Sequence, residues 1–247
     1  MTEAFIAFCE LELWRPWKAR ALTIPSPFDP DAAAEPNISF SAGARPLVAV
    51  TTNPAATMSH QTRAAVEAGD GPLSNRDEYA ESARNLGCFY EKELAGRPTG
   101  RRISGLRKLS SLLGYEGVLQ VEACPFHSGS LPRKSDFLQE MDENALFKRY
   151  VELLGKFLQD RPVVIVQASS KLATPTSAWL TWIVRVAGLN LDTAELVPLV
   201  EKGPKTTVAA WVSGQPPKAL VLTMGGNNLP GDEGLRKLGA RLRETRK

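Results

Sequence analysis

The segment Pro46-Leu-Val-Ala-Val-Thr-Thr-Asn-Pro-Ala55 constrains this chain more than any other stretch. Leu47 to Thr52 predict a short, buried, apolar strand that stops abruptly at Asn53-Pro54. Proline fixes its own φ and has no N–H to give, so a central ladder cannot run through it. A buried strand ending this way places Asn53 at the carboxyl end of a parallel sheet. Open α/β folds bind their ligands along that edge.

The rest of the chain supports the same class. Gly117 to Ala123 predict a second strand and Pro162 to Ala168 a third; Pro-Val-Val-Ile-Val-Gln-Ala is apolar on both faces, as parallel strands are. Thr206 to Ser213 and Lys218 to Met224 predict two more, joined through Ser213-Gly-Gln-Pro-Pro217 as a hairpin. Helices are expected over Arg76–Leu94, Ser104–Leu113 with Gly114 as its stop, Leu146–Leu158, Ser177–Ala187 and Glu233–Thr245. Phe5 to Trp17 reads as a short helix or strand, and Ile24 to Pro36 and Ala55 to Asn75 as loops. Strands alternating with helices predict an α/β fold, three layers α/β/α around a central, mostly parallel sheet of four to five strands. The chain reads as one domain, 1–247, with residues 1–44 as an N-terminal extension packing on it.

Charge placement adds a partner class. The net charge of the 247 residues is only +3, yet no acid occurs from Leu94 to Tyr115, where Arg97, Arg101, Arg102, Arg107 and Lys108 fall. Arg236, Lys237, Arg241, Arg243, Arg246 and Lys247 crowd the last residues against Glu244 alone. Two such patches on a nearly neutral protein point to a polyanion, with DNA the expected partner. Helix faces and tails are also often basic simply for solubility. Cys9, Cys88 and Cys124 are too few and too scattered for a disulfide framework, a zinc site or an iron–sulfur cluster, which fits a reducing cytoplasm. Met1 to Arg20 carries Glu3, Glu10 and Glu12 and does not read as a signal peptide, and no stretch is long and apolar enough for a membrane helix.

Polar clusters follow the expected strands: Asn53-Pro54 with His60, then His127-Ser128, then Asn227-Asn228. In a parallel sheet they would share one crevice. Both histidines of the chain sit in these clusters. There is no Gly-rich phosphate loop of G-x-G-x-x-G spacing and no G-x-S-x-G elbow. No pair of carboxylates stands at the strand ends, which weakens two-metal chemistry. Amides, imidazoles, an aromatic ring and a serine remain. Such groups can position a water and hydrogen-bond a leaving group with neither metal nor cofactor.

This layout resembles the uracil-DNA glycosylase superfamily, whose members carry a G-x-N-P or G-x-D-P step after strand one, an aromatic near the end of strand two and an H/N-P-S motif after the last strand. Asn53-Pro54 matches the first motif, Phe126 is the candidate aromatic, and Asn227-Asn228-Leu-Pro230 stands in the place of the last. Val121 to Ser128 is similar to the strand and "PYHS" turn of uncharacterised bacterial members. The resemblance runs from about Arg45 to Leu242. The chain departs from the pattern at Thr51 and Ala55, where glycines are usual, in lacking His-Pro-Ser, and at Cys124, near the place of the uracil-reading asparagine. A thiol cannot offer uracil the paired donor and acceptor of an amide. The resemblance therefore implies a glycosylase acting on another base, such as a modified cytosine of phage DNA, with anti-phage defence as a setting.

The implied reaction is hydrolysis of an N-glycosidic bond by a monomer that flips the base from DNA. Asn53 would orient the water; His127 or Asn228 would donate to the base as it leaves. Pro54, Ala55, Ser128 and Asn227 would line the pocket, and Phe126 would stack on the base. Arg101, Arg102, Arg107, Lys108 and Arg241 would hold phosphates. Each residue also has a plainer reading: Asn53, Asn227 and Asn228 as turn formers, Phe126, Trp179 and Trp182 as core. Two other functions stay open, a non-cleaving reader of DNA on the same fold and a hydrolase of small nucleosides.

Overall fold

A computed structural model describes residues 2–25, 39–40, 46–51, 101–126, 142–168, 178–193, 195–200, 208–213, 216–223 and 229–244. The expected loop over 55–75 and helix over 76–94 lie outside these residues. So do Asn53, Pro54, Ala55, His60, His127, Ser128, Asn227 and Asn228.

The chain begins with α1 (Thr2–Phe8), a π-helical stretch (Cys9–Trp14) and α2 (Arg15–Lys18). The Arg15 N–H bonds to the Glu10 carbonyl five residues back, just before Pro16, which has no N–H to donate. There follow β1 (Ser39–Phe40), β2 (Leu47–Thr51), α3 (Arg101–Leu112), β3 (Val118–Glu122), α4 (Ala145–Gln159), β4 (Val163–Ala168), α5 (Ala178–Val186), β5 (Glu195–Val200), β6 (Val208–Ser213), β7 (Lys218–Thr223) and α6 (Asp232–Glu244).

One sheet runs in the order β1-β3-β2-β4-β7-β6-β5. Its centre, β3-β2-β4-β7, is parallel throughout, as the sequence predicts. β1 joins one side antiparallel, and β6 and β5 extend the other side antiparallel. The β6–β7 hairpin lies where Ser213 to Pro217 predict it, with Ser213 opposite Lys218. β5 was not legible as a strand because of Pro198. It is tolerated at the sheet edge beside a register shift between Pro198 and Val200.

The strands are apolar on both faces because both faces are covered. Val48, Val50, Val163, Ile165, Leu220 and Leu222 join one core with the N-terminal helices, α4 and α5. Leu47, Ala49, Val164, Val166, Ala219 and Val221 join a second core with α3 and α6. The fold is thus three layers, α/β/α. Phe5, Cys9, Leu13 and Trp17 recur every four residues and all are buried, which settles the N-terminal segment as helical and inside the first core. Phe5 lies between Tyr150 (ring centroids 5.5 Å apart) and Phe157 (5.2 Å).

Local signals mark the ends of the elements. Asn144 caps α4, its Oδ1 accepting from the Phe147 N–H at 2.8 Å. Gly114 ends the α3 turn at φ +70°, a left-handed conformation natural to glycine. The buried Ser110 hydroxyl donates to the Gly117 carbonyl at 2.6 Å, tying α3 to the start of β3.

Candidate functional site

The parallel centre has one carboxyl edge. Thr51 ends β2 opposite Glu122 at the end of β3, and Ala168 ends β4 opposite Thr223 at the end of β7. In the sequence Asn53, His127 and Asn228 follow within five residues of the strand ends Thr51, Glu122 and Thr223; the three lie outside the described residues.

The β3 exit is described as far as Phe126. Phe126 is fully buried, with one face against Phe147 (centroids 5.8 Å, planes 23° apart). Phe147 in turn stacks toward Trp182 (5.9 Å, 25°). These three rings form a row through the first core, each large apolar payload fixing the next. Trp182 therefore has the packing role the sequence assigns it; the Trp179 side chain is outside the described part.

Just upstream, the Tyr150 hydroxyl donates to the Glu122 carbonyl from α4, pinning the last residue of β3. Burial pushes the Tyr150 phenol well above its ordinary range, with Cys9, Cys124 and Glu122 adding to the shift. Burial also pushes the Cys124 thiol up, beyond what the Phe126 backbone N–H offsets. Cys124 is therefore a neutral thiol, not a thiolate nucleophile.

Glu122 is the chemistry-bearing residue that sequence reasoning passed over. Its side chain is only 3% exposed and accepts from the Gln120 amide at 3.2 Å. The signal was available: a carboxylate closing an apolar strand at a carboxyl edge is costly unless it is hydrogen-bonded.

The two basic stretches converge. α3 and α6 pack side by side, Gly239 allowing close approach: a Cβ there would lie 3.4 Å from Leu112 Cβ. Lys108 Nζ pairs with Asp232 at 2.5 Å, Arg241 Nη1 with Glu244 at 2.6 Å, and Lys237 with Glu233 at 3.3 Å. Arg243 Nη1 donates to the Leu112 carbonyl at 2.9 Å and so caps α3. Arg107 is exposed; Arg101 and Arg102 open α3, their side chains outside the described part. Lys108 and Arg243 thus tie the two helices together, the pairs of Lys237 and Arg241 lie within α6, and Lys108 and Arg241 reach a phosphate only in competition with Asp232 and Glu244.

Among the described residues, no group of three His, Cys, Asp or Glu side chains is placed to hold a metal ion, and no helix is long and apolar enough to cross a membrane. Compared with protein-family models, with curated proteins and with solved structures, the chain has no match.

Proposed function

We propose that this chain is a monomeric DNA N-glycosylase that removes an extruded, modified pyrimidine and leaves an abasic site. The observation that supports this reading is the four-stranded parallel centre, β3-β2-β4-β7, in which β2, β3 and β7 end at one carboxyl edge, each a few residues before Asn53, His127 or Asn228 in the sequence.

In this mechanism the sugar gains positive charge as the base leaves as an anion. The Asn53 carbonyl orients the attacking water, which is captured late, so a weak base suffices. His127 or Asn228 donates to the base oxygen as charge develops there; one such donor is worth about 10²–10³ in rate. Phe126 is the stacking ring of this reading; it is fully buried in the first core against Phe147, so a base reaches it only when that packing opens. Cys124, held as a neutral thiol by burial, offers no matched pair of hydrogen bonds to plain uracil. Arg101, Arg102 and Arg107 supply the main phosphate contacts on the α3 side.

The test is abasic-site formation in the presence of EDTA. Uracil-containing DNA and phage DNA carrying modified cytosines are incubated with the protein, and abasic sites are then cleaved chemically. Breaks in the modified DNA, lost in Asn53→Ala, support the reading. Equal cleavage by Asn53→Ala removes Asn53 from the mechanism. Salt-sensitive DNA binding without cleavage favours a non-catalytic reader, a role to which Thr51 and Ala55 in place of the usual glycines are suited.

A further inference from the structure

At the opposite, amino edge of the sheet lies a pocket of about 460 Å³, lined by Gly155, Gln159, Arg185, Ser213, Pro216 and Lys218 among others. It sits where α4 and α5 end and where the β6–β7 hairpin turns, away from the carboxyl edge of the parallel centre. Its volume falls in the range of about 300–1,000 Å³ usual for small-molecule sites.

Lys218 is the unusual member. It opens β7 and is only 7% exposed, a rare state for a lysine. Its Nζ donates to the Ala187 carbonyl at 2.6 Å, just past α5. An ammonium has three donors, so two remain after that bond. Gly188 makes the arrangement possible on two counts. Its φ is +67°, and a Cβ there would stand 2.9 Å from Nζ.

The other polar groups of the lining are uncommitted. Among the described residues, the side chains of Gln159, Arg185 and Ser213 have no hydrogen-bond or ion-pair partner. Among the described residues no carboxylate lines the pocket; Asp160, adjoining Gln159, is the acid that acts on Lys218 from nearby. Two cations, an amide and a hydroxyl thus surround one cavity with spare donor capacity. A guanidinium fork and an ammonium are the usual partners of a phosphate group. Val186, Pro216 and the glycines give the pocket room beyond that group.

We propose that this pocket binds a small phosphorylated molecule, its phosphate held by Arg185 and Lys218 with donors from Gln159 and Ser213. The site is separate from the glycosylase reading and does not depend on it.

Isothermal titration calorimetry tests this with inorganic phosphate, a nucleoside monophosphate and acetate, at matched ionic strength. Both phosphates should bind once per chain and acetate should not. Arg185→Ala, at an exposed position, should weaken phosphate binding about tenfold or more through loss of a charged donor, with the urea midpoint unchanged. Asn53→Ala should bind as the wild type does. Lys218→Met also removes a contact to α5, so Arg185→Ala and Ser213→Ala carry the test. The proposal is overturned by no saturable heat with either phosphate, by acetate binding as tightly, or by unchanged affinity in Arg185→Ala.

Discussion

Replacing Tyr150 by Phe removes one oxygen from the interior and leaves the ring in place. The side chain is fully buried against Phe5, so apolar burial hardly changes. What is lost is the O–H···O=C bond to Glu122. A typical internal hydrogen bond contributes about 0.5–1.5 kcal/mol, and leaving a buried acceptor unmet costs about 1–3 kcal/mol. Tyr150→Phe should therefore lower unfolding stability by about 1–2 kcal/mol, read as a shift in urea midpoint at constant slope. The loss should also depend on pH. Burial holds the phenol protonated in the folded chain above its ordinary pKa of about 10. A group whose folded pKa is raised contributes fully below its unfolded pKa, and that contribution fades as pH rises above it. The wild type should thus lose stability above about pH 10 faster than the variant, and the gap between them should close. A gap that stays constant from neutral to alkaline pH, or a variant as stable as the wild type at neutral pH, would refute the reasoning.

Other expectations follow from the same geometry. Asn144→Ala removes the α4 cap and should cost about 1 kcal/mol in urea unfolding. Gly105→Ala puts a Cβ 3.0 Å from Leu229 Cβ and should destabilise, whereas Gly239→Ala meets Leu112 at 3.4 Å and should be near neutral in thermal unfolding; the reverse order would contradict the packing of α3 against Leu229 and α6. The hydrogen bond and charge of Lys108 hold the Asp232 carboxyl below its usual range, so Lys108→Ala should return its NMR titration toward an ordinary aspartate. Whatever stability that carboxylate adds is present above its unfolded pKa and fades as pH falls through the depressed folded value.

The elements with a purely local cause were readable from the chain. Val163 to Ala168 is apolar at every position but one and starts after a proline, so its strand and its burial on both faces follow from composition. α4 announces itself through Tyr150, Leu154 and Phe157 on one face, and α3 stops at Gly114 because the left-handed turn there suits glycine. The parallel centre, and hence the single carboxyl edge, follows from strands alternating with helices. Of the candidate site, the sequence marks which residue types follow which strand; the described residues reach that set only at Phe126, on α3 and on α6.

What tertiary structure alone decided depends on partners remote in the chain. Pro198 reads as a strand breaker until its strand is seen at the edge, where no second neighbour needs its missing N–H. Phe126 is buried because Phe147 comes to meet it from α4. The two basic stretches looked like independent phosphate grips, but packing α3 on α6 sets Lys108 against Asp232 and turns part of the charge inward. Lys218 opens a strand that the sequence predicts, and it is buried because the end of α5 brings a carbonyl to its amine and a glycine leaves room for it. Hydrophobic period and turn chemistry act over a few residues, so the sequence determined the elements. Burial of a polar group, and which charge it pairs with, are set by contacts between elements, and only the fold determined those.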